Sequence, residues 1–301
     1  MMNTIKKYKF AVLGGDRRQA YVARELLNRG HTVRIFGLGG FSALCGGEHC
    51  SSLERAIDGS DAVLLPLPVS RNGIDLLQAE DGGETVKLCE IIRLADLHGC
   101  RLILGGVIPE EIVRLGDARG VKVIDFYTRE DLQRKNALPS AEGALMIAME
   151  HTEITVSGMR ALVTGFGRIG RILASMLSCL GAEVAVAARR EAVLQEIADC
   201  GYRPVRIGDT ETFTDTADCS DVIFNTVPHI LFGELILKRM KNRPLYIEIA
   251  SSPGGIDLSG AREIGLRTVF APSLPGKYAP GSAGRYIFET VEDILREGGL
   301  L

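Results

Sequence analysis

The chain has 301 residues, of which 46% are hydrophobic and 24% are charged, and its formal net charge at pH 7 is −3. This length suits about two domains of ordinary size, so a small disulfide-stapled scaffold is excluded. The near balance of charges gives no general reason to bind nucleic acid or an anionic membrane. The seven cysteines lack regular spacing, and no apolar stretch has the length of a membrane span or a signal sequence. We therefore expect a soluble, unexported protein from a reducing cytoplasm.

Short apolar runs alternate with helical patterns through the first 125 residues. A helix is predicted between Gly15 and Gly30, and others at 85–98 and 109–118. The predicted strands are 9–13, 32–36, 62–65, 101–104 and 121–124. Such alternation predicts a parallel sheet covered by helices on both faces.

Residues 139–152 are apolar around most of a helical circumference, which indicates a buried helix between two domains. After it the alternation restarts, with strands at 160–164, 183–187, 221–225, 245–249 and 267–270 and helices at 168–180, 191–200 and 233–240. A last helix at 283–296 follows a Pro- and Gly-rich stretch and is long enough to cross back to the first domain. The predicted domains are a substrate or partner domain at 1–138, a linker helix at 139–153, a nucleotide domain at 154–280 and a C-terminal helix at 281–301.

The strongest functional signal is a G-x-G-x-x-G motif that follows an apolar strand and opens a helix. Its residues are Gly165, Phe166, Gly167, Arg168, Ile169 and Gly170. The first glycine permits a tight turn, the second lets a pyrophosphate approach the backbone, and the third allows close packing of helix on strand. The two runs of alternating strands and helices predict two Rossmann-like, doubly wound α/β domains, and the motif predicts that the second of them binds a dinucleotide. A glycine turn without a ligand is the alternative.

The end of the next strand points to the identity of the dinucleotide. An NAD-binding domain usually has an acidic residue there, which accepts a hydrogen bond from the ribose 2′-hydroxyl. Here the chain has Ala188, Arg189 and Arg190. Two guanidinium groups match the charge and geometry of a 2′-phosphate, which favours NADP over NAD. The alternative is a solvated arginine pair on the surface.

Two further strand ends in the second half carry turn-forming residues. Ligands of open α/β sheets bind beyond the carboxyl ends of the strands, so these residues are predicted to hold the coenzyme's ribose and carboxamide. They are Asn225, Thr226, Val227, Pro228 and Ala250. Ordinary turn chemistry is an equally open interpretation for each of them.

The corresponding turn of the first half has Asp16, Arg17 and Arg18 but lacks the later glycines of the motif. A second dinucleotide is therefore not expected. Arginine at a helix N-terminus suits a carboxylate ligand, and the strand end Leu65–Ser70 could face it. The alternative is an ordinary helix start capped by Asp16.

Two other features resemble a metal site and a proton-transfer site. Cys45, His49 and Cys50 lie within six residues, but their spacing fits no zinc template, so no metal is predicted. His151 ends the linker helix and could move a proton, although such a histidine is more often a hydrogen-bonded structural residue.

Eight stretches spread along the chain carry a resemblance to the family of dipicolinate synthase A subunits. They are VLGGDRRQ, LPLPVS, NALPSAEGALMIAMEHT, LVTGFGRIGR, AARR, FNTVP, EIASSPGGID and APSLPGKYAPGSAG. Together they are specific, whereas the glycine motif alone is shared with alanine, shikimate and 2-hydroxyacid dehydrogenases. The family pattern matches Arg18 and Gln19 more firmly than Arg17, and it tolerates other residues at His229.

The resemblance implies an NADP-dependent oxidoreductase acting on a CH–CH donor. The expected reaction is oxidation of dihydrodipicolinate, derived from 4-hydroxy-tetrahydrodipicolinate, to dipicolinate during sporulation, with NADPH as co-product. The resemblance also implies a flavoprotein-like B subunit, an oligomeric assembly and a location in the mother-cell cytoplasm of a sporulating bacterium.

The chemistry of this reaction limits what the site must do. A dihydropyridine dicarboxylate becomes aromatic when it loses a hydride and a proton, so alignment of the two rings matters more than strong acid–base assistance. The residues predicted to hold the substrate carboxylates are Arg18, Ser70 and Ser252. The residues predicted to act around the ring or in proton removal are Asn136, Glu142 and His151.

Two other functions stay open at this point. One is a shikimate- or alanine-type dehydrogenase for another carboxylate, and the other is a non-catalytic, NADP-binding regulatory subunit. For a methyltransferase the pattern is unfavourable, because its adenosine ribose usually needs an acidic residue where this chain has Arg189.

Overall fold

The computed structural model describes residues 7–79 and 85–298. The first residues of the predicted N-terminal domain and the last of the predicted C-terminal helix lie outside the described residues. The chain divides into two compact units. The first consists of residues up to Asn136 together with those from Ala279 onward, and the second is Ala137–Tyr278.

Strands and helices alternate along both units. From the N-terminus through the helix that contains the boundary between Asn136 and Ala137, the elements are β1 (Lys9–Leu13), α1 (Arg17–Asn28), β2 (Thr32–Phe36), α2 (Ser42–Cys45), β3 (Glu48–His49), α3 (Leu53–Ile57), β4 (Ala62–Leu64), α4 (Leu88–Leu97), β5 (Leu102–Gly105), α5 (Glu110–Ala118), β6 (Lys122–Asp125) and α6 (Glu130–His151). They continue with β7 (Arg160–Thr164), α7 (Arg168–Cys179), β8 (Glu183–Ala188), α8 (Glu191–Asp199), β9 (Arg203–Arg206), α9 (Thr210–Cys219), β10 (Val222–Asn225), α10 (Glu234–Leu237), β11 (Leu245–Glu248), α11 (Leu258–Glu263), β12 (Thr268–Phe270), α12 (Leu274–Tyr278) and α13 (Pro280–Glu297).

Each unit contains one six-stranded parallel sheet. The strand orders are β3-β2-β1-β4-β5-β6 and β12-β11-β10-β7-β8-β9, and each is the doubly wound order with its topological switch beside the first strand. In the first sheet Val12 lies opposite both Ile35 and Leu64. The residues of β4, β5, β10 and β11 are all buried, as expected of strands covered on both faces. The predicted fold class is confirmed.

Helix α13 packs on α1 within the first unit. Ile287, Val291 and Ile294 recur at helical spacing and are buried in the same core as β1. A Cβ at Gly284 would lie 2.6 Å from the carbonyl oxygen of Arg18, so only glycine permits this close approach. The last residues of the chain that the structure describes therefore form part of the first core.

Helix α6 begins earlier than the sequence pattern indicates. The pattern places its start at Pro139, where the segment that is apolar around most of a helical circumference begins. In the structure the helix starts at Glu130 and carries Pro139 inside it. Leu132 is completely buried, so tertiary packing supports the extra turns before the proline.

The three candidate metal ligands of the first unit do not form a site. Among the residues that the structure describes, no group of three or more His, Cys, Asp or Glu side chains is placed to hold a metal ion. Cys45 is buried, which raises the pKa of its thiol to about 11 and disfavours a thiolate ligand. In the described ranges no helix is both long enough and apolar enough to cross a membrane.

Burial makes His31 a source of pH-dependent stability. Its ring packs edge-on against Phe10, and its Nδ1 accepts a hydrogen bond from the Tyr8 backbone N–H at 3.3 Å. Burial lowers the pKa of His31 below its ordinary value of 6.5, against a smaller opposing influence of the Glu292 carboxylate. Below pH 6.5 the unfolded chain therefore takes up a proton at His31 that the folded chain does not.

We expect the free energy of unfolding to fall as the pH is lowered from about 6.5, because the contribution of neutral His31 is complete only above that pH. Urea unfolding of the wild type and of His31→Phe at several pH values measures this effect. The free energy of unfolding of His31→Phe should depend less on pH than that of the wild type, whatever its absolute value. Identical pH profiles for the two proteins would contradict the assignment.

Candidate dinucleotide and substrate site

The glycine turn between β7 and α7 is closed by contacts that only glycine allows. Gly165 has a φ of +91°, and a Cβ there would lie 2.6 Å from the hydroxyl oxygen of Thr226. A Cβ at Gly170 would lie 2.1 Å from the carbonyl oxygen of Gly165. The first and third glycines of the motif are therefore required by the packing of the turn itself.

Gly167 differs from the other two motif glycines. It is the N-cap residue of α7, with a φ of −86° and a ψ of −160° that any residue can adopt. A Cβ at this position would have no other atom within 4 Å. The backbone thus leaves open space at the N-terminus of a twelve-residue helix, where N–H groups and the helix dipole favour a negatively charged group.

Two arginines border the cavity beside this turn. The cavity has a volume of about 500 Å³ and is lined by the glycine turn, by Arg189 and Arg190 after β8, and by Val227 after β10. Both arginines are exposed. Neither guanidinium group has a hydrogen bond or ion pair within the described part of the chain. They are therefore available for an anionic group of a ligand.

The remaining motif side chains have different surroundings. Phe166 is buried, and the guanidinium carbon of Arg171 lies 4.2 Å from the centre of its ring. Arg168 is exposed and Ile169 is half-buried. Phe166 is therefore the motif side chain that forms part of the cavity wall.

At the strand end after β10, the Asn225 and Thr226 side chains are engaged within the fold, whereas Val227 lines the cavity. Asn225 is completely buried, accepts a hydrogen bond from Thr164 at 2.5 Å and donates to the Val227 carbonyl oxygen at 2.9 Å. The Thr226 hydroxyl donates to the Thr164 carbonyl oxygen at 2.8 Å, and Pro228 is exposed. The Asn225 amide is therefore engaged within the fold, where it supports Val227, and the contact of this strand end with the coenzyme stays a prediction.

The loop after β11 borders a second cavity of about 440 Å³. Ala250 and Ser252 are among the residues that line it. Beneath the loop lies the carboxylate of Glu248, which is 3% exposed and is not among the predicted site residues. The only local signal was a glutamate that ends an otherwise apolar strand.

The predicted substrate arginine of the first unit already has a partner. Arg18 is 5% exposed, and its Nε and Nη2 bind the two carboxylate oxygens of Asp16 at 3.0 and 2.7 Å. Nη2 also donates to the carbonyl oxygen of Leu67 at 2.5 Å. The charge of Arg18 is thus compensated within the fold. The exposed arginine of this turn is Arg17.

Ser70, the other predicted substrate residue of the first unit, lies in the loop after β4 that Arg18 holds. It is half-buried, and its hydroxyl donates to Asn72 at 3.0 Å. The neighbouring loop after β5 contains Val107, whose φ of +58° is unusual for a β-branched residue. The carboxylate of Asp125 accepts from the Val107 and Ile108 N–H groups at 3.1 and 2.9 Å and fixes this conformation.

The predicted catalytic residues all lie on α6. Asn136 is buried at the end of the first unit, whereas Glu142 and His151 belong to the second. Nδ1 of His151 lies 3.0 Å from the Ile147 carbonyl oxygen and must donate to it, which leaves Nε2 as the basic nitrogen of the neutral ring. Glu142 and His151 are separated by about two and a half helical turns, so they project from opposite faces of α6. The two therefore cannot flank one substrate ring together.

Each of the two units matches a family model of known proteins. Residues 9–127 match the family model of the N-terminal domain of the dipicolinate synthase A subunit. Residues 140–253 match the model of the NAD-binding domain of D-isomer-specific 2-hydroxyacid dehydrogenases. The second unit is therefore a nicotinamide-dinucleotide-binding domain of dehydrogenase type, although this match does not separate NAD from NADP.

Relatives match along almost the whole chain. The dipicolinate synthase A subunit of Bacillus subtilis (strain 168) is 28% identical over 290 residues, with 96% of each chain covered. The crystal structure of the B. subtilis protein superposes with a TM-score of 0.80 at 28% identity, covering 97% of each chain. That of the A subunit from Bacillus halodurans gives a TM-score of 0.84 at 26% identity, covering 96% of this chain and 97% of that one. With a first domain that matches the dipicolinate synthase A-subunit model and a second domain of dehydrogenase type, the chain is similar to dipicolinate synthase A subunits along almost its whole length.

Proposed function

We propose that this chain is the catalytic A subunit of a dipicolinate synthase, which oxidises dihydrodipicolinate to dipicolinate with NADP as coenzyme. The substrate would derive from 4-hydroxy-tetrahydrodipicolinate, and a flavoprotein-like B subunit would work with it in the mother-cell cytoplasm of a sporulating bacterium. The observation that carries the choice of NADP is the open backbone at Gly167 beside two unpaired guanidinium groups, Arg189 and Arg190.

The residues of the second unit suit each anionic part of this coenzyme. The N-terminus of α7 would hold the pyrophosphate, and Arg189 and Arg190 would bind the 2′-phosphate. Bound NADP supplies the acceptor for the hydride that leaves the substrate ring. With the adenosine end at β8, Val227 and Ala250 at the ends of β10 and β11 would hold the other half of the coenzyme.

A dicarboxylate substrate needs groups that bind its two carboxylates and a base that accepts the proton lost from the ring. The Ser252 hydroxyl is exposed on the loop after β11 and could donate to a carboxylate. Because Arg18 is neutralised by Asp16, we assign it to holding the loop that carries Ser70 rather than to direct binding. The Nε2 lone pair of His151 could accept the proton that leaves the ring, since Nδ1 is already engaged as a donor.

Titration calorimetry of the single chain with each coenzyme tests the first part of the proposal. We expect NADP to bind at least about a hundredfold more tightly than NAD, since charge-assisted hydrogen bonds from two arginines to a phosphate each contribute ~1.5–3 kcal/mol. Dihydrodipicolinate is then added, with and without the B subunit, while NADPH absorbance is followed. Tight NADP binding without turnover under either condition would instead indicate a regulatory subunit. Turnover only with another carboxylate would indicate a different dehydrogenase.

A further inference from the structure

Glu248, the last residue of β11, is a deeply buried carboxylate whose hydrogen-bond donors are all uncharged. Its Oε1 accepts from Nδ2 of Asn225 at 2.6 Å and from the Ala250 N–H at 3.1 Å. Its Oε2 accepts from the Gly255 N–H at 2.7 Å and from the Tyr246 hydroxyl at 3.1 Å. Burial of a carboxylate costs folding free energy unless several donors compensate its charge. Packing alone therefore does not explain why a glutamate occupies this position.

Two of these donors, the backbone N–H groups of Ala250 and Gly255, lie at the two ends of one loop. Ala250 and Gly255 bracket a short segment that carries the exposed residues Ser251 and Ser252 and lines the 440 Å³ cavity. One side chain thus fixes both ends of the segment. The fit is close, because a Cβ at Gly255 would lie 2.3 Å from Nδ2 of Asn225.

The same carboxylate connects the loop to the coenzyme cavity. Asn225 binds Glu248 through Nδ2, and the same nitrogen donates to the carbonyl oxygen of Val227, which lines the 500 Å³ cavity. Burial, together with the negative charge of Glu248, raises the pKa of the Tyr246 hydroxyl, which keeps this phenol protonated as a donor. The network therefore spans the ends of β10 and β11.

We propose that Glu248 is a positioning residue, which clamps the segment from Ala250 to Gly255 against β10 and so holds the Ser251 and Ser252 hydroxyls beside the reacting end of the coenzyme. This inference rests on the proposed function. Arg189 and Arg190 assign the adenosine end to β8, so the reacting end must lie on the side of β10 and β11. Glu248 itself is buried beneath the loop and acts through it.

The Glu248→Gln variant tests the clamp with almost no change in volume. One carboxylate oxygen becomes an N–H donor, so either Ala250 or Gly255 loses its acceptor whichever way the amide turns. We expect amide hydrogen exchange in the 249–255 segment to rise by about tenfold or more, with exchange in β7 and β8 unchanged. In the enzyme with its partner subunit, kcat should fall about tenfold or more. The affinity for 2′,5′-ADP, which carries the 2′-phosphate, should change by less than about twofold.

Tyr246→Phe is the matched control, because it removes another donor to the same carboxylate without touching the loop. It should lower the unfolding temperature yet leave segment exchange and kcat within about twofold of the wild type. Unchanged segment exchange in Glu248→Gln, or an equal loss of kcat in both variants, would overturn the positioning role. Failure of the wild type to bind 2′,5′-ADP would instead refute the proposed function, while the exchange comparison would still test the clamp.

Discussion

Replacing Gly167 by alanine should weaken NADP(H) binding by about a hundredfold or more, equivalent to ~3 kcal/mol, and leave the fold intact. A Cβ at Gly167 meets no protein atom within 4 Å, and the backbone there is extended, so the substitution introduces no internal clash. The methyl group would instead occupy the space that we assign to the pyrophosphate. The measurements are NADPH fluorescence titration and thermal unfolding of the same samples.

Gly233→Ala is the appropriate control for this experiment. Gly233 is also an N-cap residue, of α10, with a φ of −82° and a ψ of 177°, and an added Cβ would meet its nearest neighbour only at 3.9 Å. The two substitutions therefore make the same chemical change in nearly the same backbone conformation. Equal NADPH affinities in the two variants would show that the glycine turn of β7 and α7 is not the pyrophosphate site.

Removing both guanidinium groups in Arg189→Ala with Arg190→Ala should eliminate the preference for NADP. Because each charge-assisted contact to the 2′-phosphate is expected to contribute ~1.5–3 kcal/mol, NADP affinity should fall by about a hundredfold or more. NAD lacks that phosphate, so its affinity should change by no more than about threefold. Both arginines are exposed, and the interaction of Arg190 with the Glu196 carboxylate is only a minor one beside that of Arg171, so the unfolding temperature should stay close to that of the wild type.

Arg203→Ala controls for the change in net charge. Arg203 is exposed and begins β9, so it lies at the opposite end of the sheet from the glycine turn. Its loss should leave the ratio of NADP to NAD affinity unchanged. An unaltered ratio in the double variant would mean that Arg189 and Arg190 are only solvated surface residues, and the coenzyme would then have to be reassigned.

Much of the architecture follows from local sequence patterns. The strands β1, β2 and β7 begin and end where they are predicted to. After their first residue β1 and β7 are apolar and buried, as expected of strands covered on both faces, whereas β2 alternates between buried and more exposed residues. The glycine motif likewise lies where it was expected, since tight turns between strand and helix require glycine at fixed positions. Local chemistry was sufficient for these elements.

Other elements gave no such signal. Strand β9 has the sequence RPVR and buries only Val205, so it lacks both an apolar run and an alternating pattern of useful length. Helix α9 contains four threonines within ten residues, which are poor helix formers, yet Phe213 and Ala217 are buried against the sheet. Tertiary packing determined both elements against their local preference.

The sequence by itself determined the fold class, the glycine turn and the exposed arginine pair, because each depends on residues close together in the chain. Only the tertiary structure decided which polar side chains are free to meet a ligand. Arg18 is held by Leu67, 49 residues away, and Asn225 by Glu248, 23 residues away. Such pairings depend on which strand ends become neighbours in the sheet, and local periodicity carries no information about that choice.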